Sequence, residues 1–305
     1  DTLRYRYTPL PATAPAAETQ QQPKRKDNFW SRIFHGNVDR TFEKKIDFSF
    51  IGAPNYSKEA SVGIGVLASG LYRVDRTDSL TPPSDVSFFG NFSLSGFYMF
   101  GVSGNTLFNH NRSRVIYEVS FGSKPLEFWG IGYEAGRFNQ SADYIRKQVK
   151  FDAGYLYEVW RHLYVGGSVL FSHTKGTDFD DWGIDYLAGQ KLHYTLSGIG
   201  MTLQYDSRDF IPAPERGTFL MVKQVIYPKG LGNSGKTLYK TTATADYYQR
   251  LWRGAVLATD IFGEFNSSGM PWCMLAELGG GYRMRGYYLG RYIDNNILSC
   301  PVSYT

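Results

Sequence analysis

The stretch "VKFDAGYLYEV", residues 149–159, alternates apolar and polar side chains with a period of two. Its odd positions carry apolar or aromatic side chains, whereas its three charged residues, Lys150, Asp152 and Glu158, all stand at even positions. A period of two is that of a β-strand whose two faces meet different surroundings. The stretch therefore predicts a strand with one apolar face and one charged face.

The same alternation recurs along the chain, for example in "VIYEVSF" at 115–121 and "AVLATDIFGEF" at 255–265. Some connections are short, such as "RH" at 161–162, whereas others, such as 174–190, are long and polar. This up-and-down order indicates that one further strand lies undetected before residue 112. We expect strands at 45–52, 60–73, 86–102, 112–122, 147–159, 162–173, 191–205, 217–227, 238–250 and 254–266, with another beginning near 297.

The sequence favours a membrane-spanning β-barrel over a water-soluble β-sandwich. No run approaches the roughly 18 to 20 apolar residues that a membrane-spanning helix needs, so a helical membrane protein is excluded. Long strands that end in Tyr or Phe are typical of the aromatic girdles of membrane barrels. A water-soluble sandwich, whose buried faces are usually rich in Val, Ile and Leu, stays the alternative. We predict an all-β, antiparallel transmembrane β-barrel with about 11 to 12 strands in this chain.

The remaining features suggest neither catalysis nor nucleic-acid binding. Residues 1–44 are expected to form a flexible N-terminal linker, because 1–28 are rich in Pro, Ala, Thr and Gln without an apolar period; the barrel is expected to occupy 45–305. The net charge is only +5, and no basic run with interleaved aromatics predicts a nucleic-acid partner. The five histidines are scattered, so we expect no enzyme and no cofactor.

Two further groups of residues, the two cysteines and an acidic segment, do not identify a function. The cysteines, Cys273 and Cys300, could form a disulfide in an oxidising compartment or remain as free thiols. The acidic segment with Asp178, Asp180 and Asp181 lacks the spacing of a calcium-binding loop. We therefore interpret it as a solvated loop and expect no bound metal.

Two motifs are more specific than the alternation. The first, "YDSRDFIPAPERG" at 205–217, ends one strand, makes a turn and begins the next. Aspartates can bond the turn backbone, proline fixes φ, and glycine permits the bend. The second, "GGGYRMRGYYLGRYIDNN" at 279–296, lies in a long segment after strand 254–266. The residues that define the two motifs are Tyr205, Asp206, Arg208, Asp209, Pro214 and Gly217 in the first, and Arg285, Gly286 and Tyr287 in the second.

Together, and in this order, the two motifs resemble those of the BamA/TamA-type outer-membrane barrels, the bacterial surface antigen family, over roughly residues 45–300. The resemblance implies that 205–217 is a periplasmic turn and that 279–296 lies in the sixth extracellular loop. It also implies that this loop folds back into the barrel and that Arg285 points into the lumen, where it would latch the loop to acidic and aromatic partners. A buried guanidinium needs a carboxylate and further acceptors.

The chain departs from the family pattern at both ends. Residues 1–44 are too few for one of the periplasmic POTRA domains that BamA and TamA carry, so the chain resembles a barrel-only branch. The family barrel has about sixteen strands, whereas this sequence stops one strand after the long loop. We therefore expect a barrel that is incomplete at its C-terminus, because two open edges in lipid would leave backbone groups unpaired.

The resemblance implies an integral protein of the outer membrane of a Gram-negative bacterium. Its partners would be outer-membrane lipid and other outer-membrane or periplasmic assembly proteins. Its expected role is outer-membrane assembly, or the insertion or translocation of cargo. The alternative is a passive pore or surface antigen without insertase activity.

Overall fold

The computed structural model describes residues 41, 45–57, 61–75, 77, 81–108, 110–211, 213–252, 254–280, 284 and 286–304. All of them fall in one structural unit, Asp39–Thr305. Apart from Thr41 the predicted linker lies outside the described residues, so its flexibility and its boundary at residue 44 stay predictions.

Almost all regular structure in the described residues is β-strand. Two short helices, α1 (Tyr133–Phe138) and α2 (Asp181–Tyr186), lie in connections, and no described helix is long and apolar enough to cross a membrane. The strands are β1 (Ile46–Ser57), β2 (Ser61–Tyr72), β3 (Ser84–Ser93), β4 (Tyr98–Phe108), β5 (Ser113–Phe128), β6 (Ala142–Trp160), β7 (Leu163–Thr177), β8 (His193–Asp206), β9 (Gly217–Tyr227), β10 (Leu238–Trp252), β11 (Ala255–Asn266), β12 (Ala276–Leu278), β13 (Tyr292–Asp294), β14 (Asn296–Ser299) and β15 (Val302–Tyr304).

The strands form one antiparallel meander. Each strand from β1 to β11 pairs with its neighbour in sequence, and β14 and β15 both pair with β11, which gives a 13-stranded sheet. Within the described pairings, β1 forms one edge of this sheet and β14 with β15 forms the other. The hairpin β12–β13 is separate and belongs to the long connection after β11.

The two faces of the sheet differ as the alternation predicts. On β6 the odd-numbered apolar side chains are exposed, for example Tyr155 at 50% and Val159 at 56%. Register carries this apolar face across the sheet, because Phe151 lies opposite Phe171 and Val169 lies opposite Ile199. Further exposed apolar side chains of this face are Val149, Tyr157, Val165, Met201, Leu203, Leu220, Val222, Ile226, Tyr239, Tyr247, Ile261 and Phe265.

The charged face is concave, as two ion pairs demonstrate. Arg114 on β5 lies 2.7 Å from Asp206 on β8, and Lys223 on β9 lies 2.5 Å from Asp152 on β6. Each pair joins strands three positions apart, which in a flat sheet are separated by roughly 14 Å. Such contacts require the sheet to curl, so the charged side lines an interior that we call the lumen. A flat sandwich layer is excluded.

The expected strand list needs one correction. The single strand predicted at 86–102 is two strands, β3 and β4, joined by a tight turn at 94–97. There Gly96 has φ +83° and the Ser95 N–H donates to Ser93 Oγ at 3.1 Å. The further strand expected before residue 112 is thereby confirmed. The connection between the expected strands 112–122 and 147–159 is also shorter, because β5 continues to Phe128 and β6 begins at Ala142.

The connections divide between the two ends of the sheet. One end, which we call the turn rim, carries 73–83, 109–112, 161–162, 207–216 and 253–254. The opposite end, the loop rim, carries the short connections 58–60 and 94–97 and the longer connections 129–141, 178–192, 228–237 and 267–295. The segment near 297 is interrupted at Cys300 and Pro301, where β14 ends before β15 begins. Proline has no N–H to donate to a ladder, which explains the break.

Candidate functional site

The first motif forms a cluster of hydrogen bonds and ion pairs at the turn rim. Asp206 ends β8, and its carboxylate accepts hydrogen bonds from Arg208 Nε at 2.8 Å and Arg208 Nη2 at 3.0 Å. It also accepts one from Arg114 Nη1 at 2.7 Å, and the side chains of Arg114 and Asp206 are only 2% and 1% exposed. One buried carboxylate therefore binds two guanidinium groups, one from its own turn and one from β5.

Arg114 is held by further contacts at the same rim. Its Nε donates to Asn111 Oδ1 at 2.8 Å, and its guanidinium lies 3.9 Å from the ring centroid of Tyr164. The Tyr164 hydroxyl donates to the Asn111 carbonyl at 3.0 Å, which ties β7 to the turn before β5. Sequence reasoning did not identify Arg114, because its partner is 92 residues away.

The turn itself is organised by Asp209. Its Oδ1 accepts from the backbone N–H groups of Phe210 at 2.8 Å and Glu215 at 3.0 Å. Partial burial alone would raise the pKa of this carboxyl, but backbone N–H donors at Arg216, Glu215 and Phe210 outweigh it, so the pKa lies below its ordinary value. Asp209 thus acts as the predicted turn-forming aspartate.

The other turn residues take the following places. Gly217 has φ +115°, and a Cβ there would lie 2.5 Å from the Ser207 carbonyl oxygen, so only glycine fits. Tyr205 lies on the opposite face from Asp206, with its ring 6.2 Å from that of His162. Pro214 is half-buried in the turn. The structure therefore brings the first motif together around Asp206.

The connection 267–295 at the loop rim is anchored by Trp272. This side chain is completely buried, and its Nε1 donates to the Lys191 carbonyl at 3.0 Å. Its ring stands nearly perpendicular to those of Tyr144 and Phe179, at 5.6 and 5.5 Å. Phe128 adds a further edge contact at 6.2 Å. Aromatic edge contacts of this kind stabilise beyond the area that they bury, so the connection is attached to the ends of β5 and β6.

Both cysteines are free thiols. Cys273 follows the buried Trp272 and is itself buried, whereas Cys300 is exposed between β14 and β15. Burial raises the pKa of the Cys273 thiol to about 12, so it stays protonated at neutral pH.

The hairpin β12–β13 reaches the lumenal wall through Glu277. Its Oε1 accepts from Arg146 Nη2 on β6 at 2.5 Å, and both side chains are largely buried. Arg146 also donates from Nε and Nη2 to the Tyr144 hydroxyl, at 3.1 and 2.7 Å. Burial alone would raise the pKa of Glu277, but the Arg146 guanidinium outweighs it and the pKa lies below its ordinary value. Glu277 is therefore held as a carboxylate.

The described residues of the second motif belong to this hairpin, since they follow β12 and include β13. Gly286 has φ +95°, and Tyr287 is 47% exposed with its ring 5.9 Å from that of Tyr292. The Tyr287 carbonyl accepts a hydrogen bond from the Gly280 N–H at 3.0 Å, so the backbone is in contact at these two residues. Arg285 lies outside the described residues, so its lumenal role stays a prediction. The loop-to-wall ion pair that the structure describes has the opposite polarity, with the carboxylate on the loop and the arginine on the wall.

Between the wall and the hairpin lies a cavity of about 550 Å³. Two wall lysines on it are paired within the wall, Lys223 with Asp152 at 2.5 Å and Lys240 with Glu264 at 2.6 Å. Neither Arg146 nor Glu277 was identified from the sequence, because each is one charged residue in an alternating strand or a loop. The charged and polar side chains lining the cavity are Glu118, Arg146, Gln148, Lys150, Asp152, Ser172, Lys223, Lys240, Thr242, Glu264, Glu277 and Ser299.

The sequence matches a known protein family, and the fold aligns with a solved structure. Residues 98–298 match the model of the Omp85 superfamily domain. A crystal structure of BamA from Haemophilus ducreyi lacking POTRA domains 1–3 aligns with a TM-score of 0.49 and 14% identity, over 81% of this chain and 46% of that one. The chain thus spans about half the length of that protein. No curated protein matches the chain.

Proposed function

The chain belongs to the Omp85 superfamily, and from that membership we propose that it serves in outer-membrane assembly, inserting or translocating cargo together with partner proteins. Its fold is the all-β, antiparallel barrel type of sheet described above. We further propose that it is an integral protein of the outer membrane of a Gram-negative bacterium, in contact with outer-membrane lipid. The partners would be other outer-membrane or periplasmic assembly proteins.

The membrane location is supported by the two faces of the sheet. The apolar face is exposed over neighbouring strands from β6 to β11, and a water-soluble protein rarely exposes so large a continuous apolar surface. The charged face is turned to the lumen, where Asp152 compensates the charge of Lys223 and Glu264 compensates the charge of Lys240. Apolar outside and polar inside is the arrangement of a membrane barrel.

The observation that carries the functional proposal is the connection 267–295. Trp272 attaches this connection at the loop rim, and Glu277 attaches it to the lumenal wall. The connection therefore occupies part of the lumen, which a passive pore would need to keep open to water. A lumen that contains a covering segment favours handling of cargo over free diffusion. We also retain Arg285 as a proposed second attachment of this segment, and we assign no catalytic residue.

The direct test uses the full-length protein in vesicles of outer-membrane lipid. A urea-unfolded outer-membrane barrel is diluted into the vesicles, and its folding is followed by protease protection and by resistance to unfolding in cold gel electrophoresis. We expect folding several-fold faster than in vesicles that contain an equal amount of an unrelated barrel. Equal rates in the two kinds of vesicle would refute the proposal.

Planar-bilayer conductance distinguishes the passive pore or surface antigen. We expect the wild-type protein to show low, fluctuating conductance and Glu277→Gln and Arg285→Ala to raise it, because each removes an attachment of the covering segment. A large, steady current that is identical in the wild type and both variants would favour the passive pore.

A further inference from the structure

The lumenal wall concentrates positive charge at one place. Lys124 on β5 lies directly opposite Arg146 on β6 in the register, and Lys150 follows four residues later on the same face of β6. Like charges directly opposite each other on paired strands are destabilising. A departure from a local rule of this kind is expected where a site has a function.

The nearest compensation for this charge does not come from the wall. Lys223 and Lys240 have wall carboxylates as ion-pair partners, at 2.5 and 2.6 Å. Arg146 instead pairs with Glu277, which the hairpin β12–β13 brings from 131 residues later. The wall carboxylate Glu118 also lines the cavity. Arg146 and Lys150 line the cavity, and Lys124 stands opposite Arg146 on β5, so these three cations share two carboxylates while Glu277 is in place and only Glu118 once it leaves.

A second, independent observation points to a ligand in the same cavity, beside Lys150 and four residues along β6 from Arg146. Ser172 on β7 lies directly opposite Lys150 and lines the same cavity. It is only 8% exposed, and in the described part of the chain its Oγ has no hydrogen-bond partner. A buried hydroxyl without a partner is costly, and each such group in a folded protein needs an explanation. A donor for a bound oxygen atom would provide one.

We propose that Lys124, Arg146, Lys150 and Ser172 form an oxyanion-binding site on the lumenal wall and that Glu277 occupies it as an internal carboxylate. An incoming phosphate replaces Glu277 at Arg146, whose guanidinium can bind two oxygens side by side. Lys150 and Ser172 donate to the remaining oxygens. Binding then detaches the hairpin β12–β13 from the wall. This inference goes beyond the proposed function and does not depend on it.

The experiment is a calorimetric titration of the full-length protein in detergent with inorganic pyrophosphate, in a buffer free of phosphate. Glu277→Gln removes the internal competitor, so we expect it to bind pyrophosphate at least tenfold more tightly than the wild type. Adding Lys150→Gln or Ser172→Ala to Glu277→Gln should reverse most of this gain. A parallel titration with a water-soluble short-chain phosphatidic acid distinguishes a lipid headgroup from free phosphate as the source.

Asp152→Asn is the matched control, because it releases Lys223 into the same cavity and replaces none of the four residues of the proposed site. We expect it to leave pyrophosphate binding unchanged. The proposal is overturned if Glu277→Gln binds neither ligand more tightly than the wild type, or if Asp152→Asn gains as much. A measurement on the wild type alone guards against misfolded variants: saturating pyrophosphate should increase protease cleavage within 276–294, and unchanged cleavage counts against the site.

Discussion

Arg114 and Asp206 are joined by a 2.7 Å ion pair although two whole strands, β6 and β7, lie between theirs in the sheet. Both side chains are buried, and Arg208 binds the same carboxylate from within its own turn. The turn motif recognised in the sequence is therefore more than a local bend. Its aspartate connects the turn after β8 to the beginning of β5.

Replacing this aspartate should strongly destabilise the protein. Asp206→Asn leaves two arginines near the turn rim without a carboxylate, and breaking a buried ion pair typically costs about 3–5 kcal/mol. Urea unfolding in detergent, followed by tryptophan fluorescence, measures the change in free energy of unfolding. The control is Glu215→Gln in the same turn, which removes the solvent-accessible ion pair of Glu215 with Arg250 on β10 and should cost about 1 kcal/mol or less.

Gly217 should tolerate no side chain, for two separable reasons. Its φ of +115° disfavours any other residue, and a Cβ would lie 2.5 Å from the Ser207 carbonyl oxygen. Gly235 also has positive φ but no atom within 4 Å of a Cβ, so Gly235→Ala should cost only about 1–2 kcal/mol. Gly217→Ala should cost clearly more in the same unfolding assay. Equal costs would mean that the close contact relaxes freely.

Trp272 should hold the connection 267–295 in place while contributing little to the stability of the sheet. Trp272→Ala removes a fully buried ring from contact with Tyr144 and Phe179, a change that typically costs about 3–5 kcal/mol. We expect external protease to cleave 267–295 much faster while the sheet keeps its resistance to unfolding in cold gel electrophoresis. Trp160→Ala, at a side chain that is 76% exposed, is the control and should leave cleavage unchanged.

The attachment of the hairpin should resist moderate acid. Because the pKa of Glu277 in the folded protein lies below the ordinary 4.5, the ion pair is fully present above that value and is lost as the pH falls through the lowered pKa. Hydrogen exchange of 276–294, corrected for its intrinsic pH dependence, should therefore stay protected from pH 7 to about pH 5 and rise only in stronger acid. Glu277→Gln should abolish this acid step, and a step near neutral pH would contradict the assignment.

The faces of the strands could be predicted from the sequence because their cause is local. Alternation along β6 places Tyr155 and Val159 on the exposed side and Asp152 in the lumen, as the structure confirms. The turn at 94–97 was missed because alternation of apolar and polar side chains runs through it. Its only signals in the sequence are Gly96, which takes a positive φ, and the serines Ser93 and Ser95, which bond each other in the turn.

The cluster of the lumenal wall could not be predicted in the same way. Arg146 and Glu277 are 131 residues apart, and they meet only after the sheet has curled and the connection has folded back. The first motif fixed the place of Asp206, yet its partner Arg114 belongs to an ordinary alternating strand. Long-range charge pairing leaves no periodic trace in the sequence, whereas the faces of the strands do.

The two ion pairs on the concave side have a mechanical consequence. Arg114–Asp206 near the turn rim acts as a tie across β6 and β7, and Asp152–Lys223 farther along the wall acts as a tie across β7 and β8. Neither pair can close while the meander is flat. Lateral pressure that would straighten the sheet must first stretch these ties. The curvature of this wall is thus set from its lumenal side, by side chains that face away from the exposed apolar surface.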